Sequence, residues 1–87
     1  MESHVVTLIG KPGCHLCDDA REAIASVIAD LPSGSASVTV VEHSILDDAE
    51  LFERFAEEIP VVLIDGWMHT YWRVDASRLT AALTSPA

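Results

Sequence analysis

The chain alternates between short runs of β-branched apolar residues and longer stretches in which apolar positions recur every three or four residues. Val5-Val6-Thr7-Leu8-Ile9 is the first such run and stops at Gly10-Lys11-Pro12-Gly13, so a buried strand is expected to run into a loop. From Leu16 onward, Leu16, Ala20, Ile24, Val27, Ile28 and Leu31 share one helical face, while Asp19, Arg21, Glu22, Ser26 and Asp30 take the other. Pro32-Ser33-Gly34-Ser35 ends that helix. Val38 to Val41 reads as a second strand. Ser44 to Asp48 offers caps for a second helix whose Leu51, Phe52, Phe55 and Ala56 form a face, with Glu50, Glu53, Arg54, Glu57 and Glu58 in solvent. Pro60 opens a third strand over Val61 to Ile64. Asp65-Gly66 is a hairpin signal leading into a fourth strand over Trp67 to Trp72. Trp67, Tyr71 and Trp72 are expected to pack on the hairpin over the core. Asp75 then caps a third helix carrying Leu79, Ala82 and Leu83, and Thr84 to Ala87 is expected to fray.

The order β-α-β-α-β-β-α dictates a topology. A βαβ unit needs a parallel strand pair and a crossover helix, whereas the hairpin adds antiparallel strands. The expectation is a four-stranded mixed sheet flanked by three helices, one α/β domain over residues 1–87. Composition agrees with that size: 87 residues, 49% of them hydrophobic, suffice for one core and not for two.

Charge excludes some partners. With 14 acidic against 5 basic residues the net charge is −9, which opposes the phosphate neutralisation that dominates nucleic-acid binding, so no nucleic-acid partner is expected. Met1-Glu2-Ser3-His4 lacks a basic leader, and Val5 to Ile9 is far too short to span a bilayer. The expectation is a cytoplasmic protein without a membrane partner.

The two cysteines, Cys14 and Cys17, are too close together to staple distant segments, and they fall where the first loop enters the first helix. Free N–H groups and the helix dipole stabilise negative charge at that point, so Cys14 is placed as a nucleophilic thiolate. Cys17, three residues on, lies on the same face and can resolve a mixed disulfide into an intramolecular one. Lys11 and a protonated His15 favour the thiolate, whereas Asp18 and Asp19 oppose it. Buried apolar cysteines and a metal site are the competing readings. Zinc or an iron–sulfur cluster would have to recruit two of His4, His15, His43 and His69, because no second close cysteine pair exists.

Lys11-Pro12-Gly13-Cys14-His15-Leu16-Cys17-Asp18 after the first strand, with Ile59-Pro60-Val61 opening the third, resembles the glutaredoxin-like branch of the thioredoxin fold. The resemblance covers nearly the whole chain in element order. It implies a cis Ile59-Pro60 peptide facing the cysteines, with the Ile59 backbone pairing with an extended substrate segment. It also implies that Lys11 helps to bind a glutathione carboxylate. Where glutaredoxins carry a Gly-Gly pair after the fourth strand, this chain has Tyr71-Trp72-Arg73-Val74-Asp75, so bulky side chains narrow that groove. Asp75 is a candidate for the acidic end of the substrate site and equally for a helix cap. The expected activity is thiol–disulfide exchange on a disulfide-containing protein or small molecule, with no bound cofactor. Reducing equivalents would come from glutathione, another low-molecular-weight thiol, or a flavin reductase of the thioredoxin-reductase kind. A metal-binding or iron–sulfur module built on Cys14 and Cys17, and a non-catalytic adaptor of the same fold, are the alternatives.

Overall fold

A computed structural model describes residues 3–84 of the chain. The elements follow the expected order: β1 (Ser3–Gly10), α1 (His15–Ala29), β2 (Ser37–Ser44), α2 (Ala49–Phe55), β3 (Val61–Ile64), β4 (Trp67–Tyr71) and α3 (Ala76–Thr84). The sheet order is β2-β1-β3-β4, with β1 parallel to β2 and antiparallel to β3, and β3 antiparallel to β4. This is a thioredoxin-like fold.

Period-two alternation in the central strands separates two cores. Val6 and Leu8 of β1 and Val62 of β3 point to one face, where they pack with Ala20, Ile24 and Val27 of α1 and Leu79 and Leu83 of α3. Ile9 and Val61 point to the other face and meet Ile45 and Phe55, with Leu51 and Leu63 packed against them. Burying each Val, Leu, Ile or Phe side chain stabilises the fold by about 1.5–3 kcal/mol. The layers thus place α1 and α3 on one side of the sheet and α2 on the other.

Side-chain and turn chemistry fixes the joints. The Asp48 carboxylate caps α2 by accepting from the Glu50 and Leu51 N–H groups at 2.9 and 3.2 Å. Asp65 and Gly66 both take positive φ, 53° and 86°, as a two-residue type I′ hairpin requires. The Asp65 carboxylate accepts from the Val5 N–H at 2.8 Å and lies 2.7 Å from His4 Nδ1, so it ties the hairpin to the start of β1. These bonds hold the Asp65 carboxyl below the usual carboxylate range.

Four expectations are corrected. Leu16, placed on the buried face of α1, is 48% exposed, and Phe52 of α2 is 50% exposed. Trp67, Tyr71 and Trp72 are exposed instead of covering the core. The reason is that β4 is an edge strand and contributes to neither core cluster, because the seven-residue α2 packs beneath β1 and β3. The fourth strand also ends at Tyr71, because Trp72 turns to φ 68°. Thr84 is the last residue of α3, and the rest of the segment expected to fray, residues 85–87, lies outside the described residues, as do Met1 and Glu2. Among the described residues no helix is long and apolar enough to cross a membrane.

Candidate functional site

β1 delivers the chain to Gly10, and a turn through Gly13, at φ 72°, brings Cys14 to the head of α1. Cys14 is the N-cap residue, with extended backbone, and its Sγ accepts the Cys17 N–H at 3.2 Å. A side chain normally supplies oxygen at this position; here sulfur takes one of the four unsatisfied N–H groups of the first turn. An amide aimed at sulfur, on the positive end of the helix dipole, stabilises negative charge on it. Cys14 is partly exposed.

Cys17 has the opposite environment. It is 1% exposed, and a Cβ built on Gly10 would lie 2.9 Å from its sulfur. Burial pushes the Cys17 thiol up to about 11, helped by the hydrogen bond to Cys14 and by the charges of Cys14 and Asp18, while the Lys11 backbone N–H pulls the other way. Both thiols are free. The motif therefore pairs a partly exposed helix-capping cysteine with a buried protonated one.

Asp18 does not stand unopposed beside this pair, as its place in the sequence suggests. Arg21 Nη1 donates to Asp18 Oδ1 at 2.8 Å, and the same guanidinium reaches across to both carboxylate oxygens of Glu42 on β2. These contacts raise the Arg21 guanidinium further above its ordinary value. Arg21 reads in the sequence as part of the solvated helix face. Its i,i+3 spacing from Asp18 is a signal for one contact. The contact with Glu42 has none, since it depends on how α1 lies against β2.

The β1–β3 register, which pairs Ile9 with Val61, carries Pro60 level with Gly10. Pro60 is buried, and the Ile59–Pro60 peptide is cis. Neither the N–H nor the C=O of Ile59 bonds to another backbone group among the described residues. Trp72, after β4, locks this loop: its backbone N–H donates to the carbonyls of Pro60 at 2.8 Å and Glu58 at 3.2 Å, and its indole Nε1–H donates to the Glu57 carbonyl at 3.1 Å.

Residues 5–84 match the glutaredoxin-like domain family (DUF836). The chain belongs to that family. An uncharacterised protein of Mycobacterium tuberculosis is 33% identical over 76 residues, covering 87% of this chain and 78% of the relative. A Dictyostelium discoideum protein described as a glutaredoxin-like protein is 29% identical over 70 residues, 79% of this chain and 65% of that protein. Among solved structures, the crystal structure of protein XcR50 from X. campestris matches with 33% identity and a TM-score of 0.71, covering 93% of this chain and 99% of that one. Protein Ne2328 from Nitrosomonas europaea matches with 18% identity and a TM-score of 0.77, covering 95% and 94%, which is a likeness of fold.

Within this glutaredoxin-like domain the other sequence-derived candidates take distinct places. Lys11 is exposed and lines a cleft of about 280 Å³ with Gly10, Cys17, Arg21, Glu42 and His43, on the β2 side of the cysteines. His15 is the exposed first residue of α1. The Asp75 carboxylate accepts the Arg78 N–H at 3.0 Å and so caps α3. No group of three or more His, Cys, Asp or Glu side chains that could hold a metal ion occurs among the described residues. Gly10 and Arg21 are the residues that sequence reasoning did not place in the site; it expects Trp72 to narrow the groove, but not its bonds to the Glu57–Pro60 segment.

Proposed function

We propose that this glutaredoxin-like protein is a thiol–disulfide oxidoreductase that reduces disulfides through Cys14 and Cys17. The Cys14 thiolate attacks one sulfur of the substrate disulfide, forming a mixed disulfide and expelling the other sulfur as a thiolate, which takes up a proton. Cys17 then attacks the Cys14 sulfur. Its proton passes to the departing substrate thiolate, the Cys14–Cys17 disulfide forms, and the substrate leaves reduced by two electrons. Glutathione, another low-molecular-weight thiol or a thioredoxin-reductase-type flavoenzyme returns the pair to the dithiol, in the cytoplasm, where such donors keep thiols reduced.

The observation that carries this reading is the asymmetry of the pair: a partly exposed sulfur capping a helix, and a buried thiol held at about 11 one turn later. The first is built to attack. The second stays protonated and silent until a mixed disulfide brings its target within reach. Ile59, with its backbone groups open beside cis Pro60, supports pairing with an extended substrate segment there, while Lys11 and His15 flank the entrance. Asp75 caps α3, and its remaining acceptor capacity is what it would offer as the acidic end of the substrate site.

The test is reduction of a small disulfide, supplied either with glutathione, its reductase and NADPH or with thioredoxin reductase and NADPH. Wild type is expected to turn over in one of the two systems, and Cys14→Ser to be inactive in both. Activity that survives Cys14→Ser overturns the assignment. Retention by Cys17→Ser in the glutathione system alone identifies a monothiol route through Cys14.

A further inference from the structure

Large apolar side chains are exposed in the first turn of α1 and at the end of β4. Leu16, two residues along α1, is 48% exposed; Trp72 is 54% exposed and Tyr71 45%. Tyr71 and Trp72 meet edge to face with ring centroids 4.9 Å apart. Trp72 is at the same time held by three hydrogen bonds to the Glu57–Pro60 segment, so its indole is both exposed and immobilised. A large aromatic surface that is already ordered binds at low entropic cost.

Between α1 and the segment after β4 lies a groove of about 390 Å³ with Leu16, Ala20, Ala23, Trp72 and Val74 along it. Asp19 and Arg73 complete the lining, one charge of each sign. The groove adjoins the reactive pair, because Leu16 belongs to the first turn that Cys14 caps and Trp72 bonds to Pro60, level with Gly10 under Cys17. The surrounding charge selects against anions. Asp19 and Arg73, neither in an ion pair among the described residues, balance within the groove, and the wider field is that of a chain carrying −9. Glutathione disulfide, with four carboxylates and two ammonium groups, is repelled by such a field.

We infer that the Leu16–Trp72 groove receives a bulky apolar side chain next to the reacting cysteine, so the substrate of this site is a polypeptide disulfide with an apolar flank. The inference rests on the exchange reactivity proposed for Cys14. It makes Leu16 and Trp72 the specificity-determining residues. A well-filled apolar contact in such a groove is worth about tenfold in rate.

The experiment measures second-order rates of thiol release when the reduced protein meets three disulfides. Two are peptide disulfides of equal charge that differ only in Phe or Ser beside the cysteine, and the third is glutathione disulfide. The Phe peptide is expected to react about ten times faster than the Ser peptide and faster than glutathione disulfide. Leu16→Ala and Trp72→Ala are each expected to bring the Phe-to-Ser ratio below about 2; Leu16, half-exposed, tests the groove without touching the bonds that hold the Glu57–Pro60 segment. Equal rates for the two peptides, or a ratio unmoved by Leu16→Ala, overturn the inference and leave the exchange reaction standing. Faster reaction with glutathione disulfide overturns it as well. No thiol release from any of the three overturns the exchange reading and this inference together.

Discussion

A methyl group on Gly10 would lie 2.9 Å from the Sγ of Cys17 and 3.1 Å from its Cβ, so the last residue of β1 is glycine because the buried thiol occupies its side-chain space. The constraint is contact and not backbone, since the glycines that take positive φ are Gly13, Gly34 and Gly66. Gly10→Ala must push the Cys17 side chain or the strand aside. A loss of about 1–3 kcal/mol in denaturant unfolding under reducing conditions is expected. Removing the sulfur in a Gly10→Ala, Cys17→Ala double variant recovers part of that loss, with a coupling of about 0.5–3 kcal/mol. Additive losses would show that the contact is not the cause.

Cys17 also makes the fold sensitive to alkali. Its folded thiol is pushed up to about 11 by burial, whereas an unfolded cysteine titrates at about 8.5. Between those values the native state keeps a proton that the unfolded state has lost. Stability from this group is therefore complete below about pH 8.5 and falls as pH rises towards 11, by about 3 kcal/mol at most. Urea unfolding of reduced protein from pH 8 to 10.5 is expected to show this decline, and Cys17→Ala to lack it. In the folded protein at neutral pH, iodoacetamide is expected to label Cys14 and to spare Cys17, as read by peptide mass mapping.

Arg21 spreads its charge over Asp18 and Glu42 at the edge of the reactive loop. Exposed, solvent-screened pairs of this kind contribute little to stability, so Arg21→Gln is expected to fold. It leaves carboxylate charge beside the cysteines without a counter-ion. Reaction of Cys14 with iodoacetate, itself an anion, is expected to slow by about 1.5–5-fold at low ionic strength, the modest effect of an exposed charge. Salt at about 0.5 M should erase most of the difference. Asp18→Asn in the Arg21→Gln background restores the rate if charge, and not helix geometry, is responsible.

What the sequence shows and what it hides follow from how local each feature is. The order of strands and helices, the Asp65-Gly66 hairpin and Cys14 at the head of α1 rest on neighbouring residues, and the fold follows from them. β2 runs on through Glu42 and His43 beyond the apolar stretch Val38 to Val41, because its parallel partner β1 continues to Gly10 and the ladder holds polar edge residues as readily as apolar ones. The exposure of Trp67, Tyr71 and Trp72 depends on α2 being too short to cover β4, a fact about the whole assembly. Gly10 beneath Cys17, Arg21 across to Glu42, and Trp72 on Pro60 join residues from different elements, so spacing along the chain gives no sign of them.

The division of labour between the two thiols is tested most directly by trapping the mixed disulfide. Reduced Cys17→Ser protein is mixed with a small peptide disulfide, quenched with acid, and measured by intact mass with peptide mapping. One peptide is expected on Cys14 at full occupancy, whereas wild type should carry no lasting adduct and should end two hydrogens lighter, with Cys14 and Cys17 joined. An adduct on Cys17 in a Cys14→Ser variant at a comparable rate, or no adduct on Cys14 in Cys17→Ser, would contradict the account.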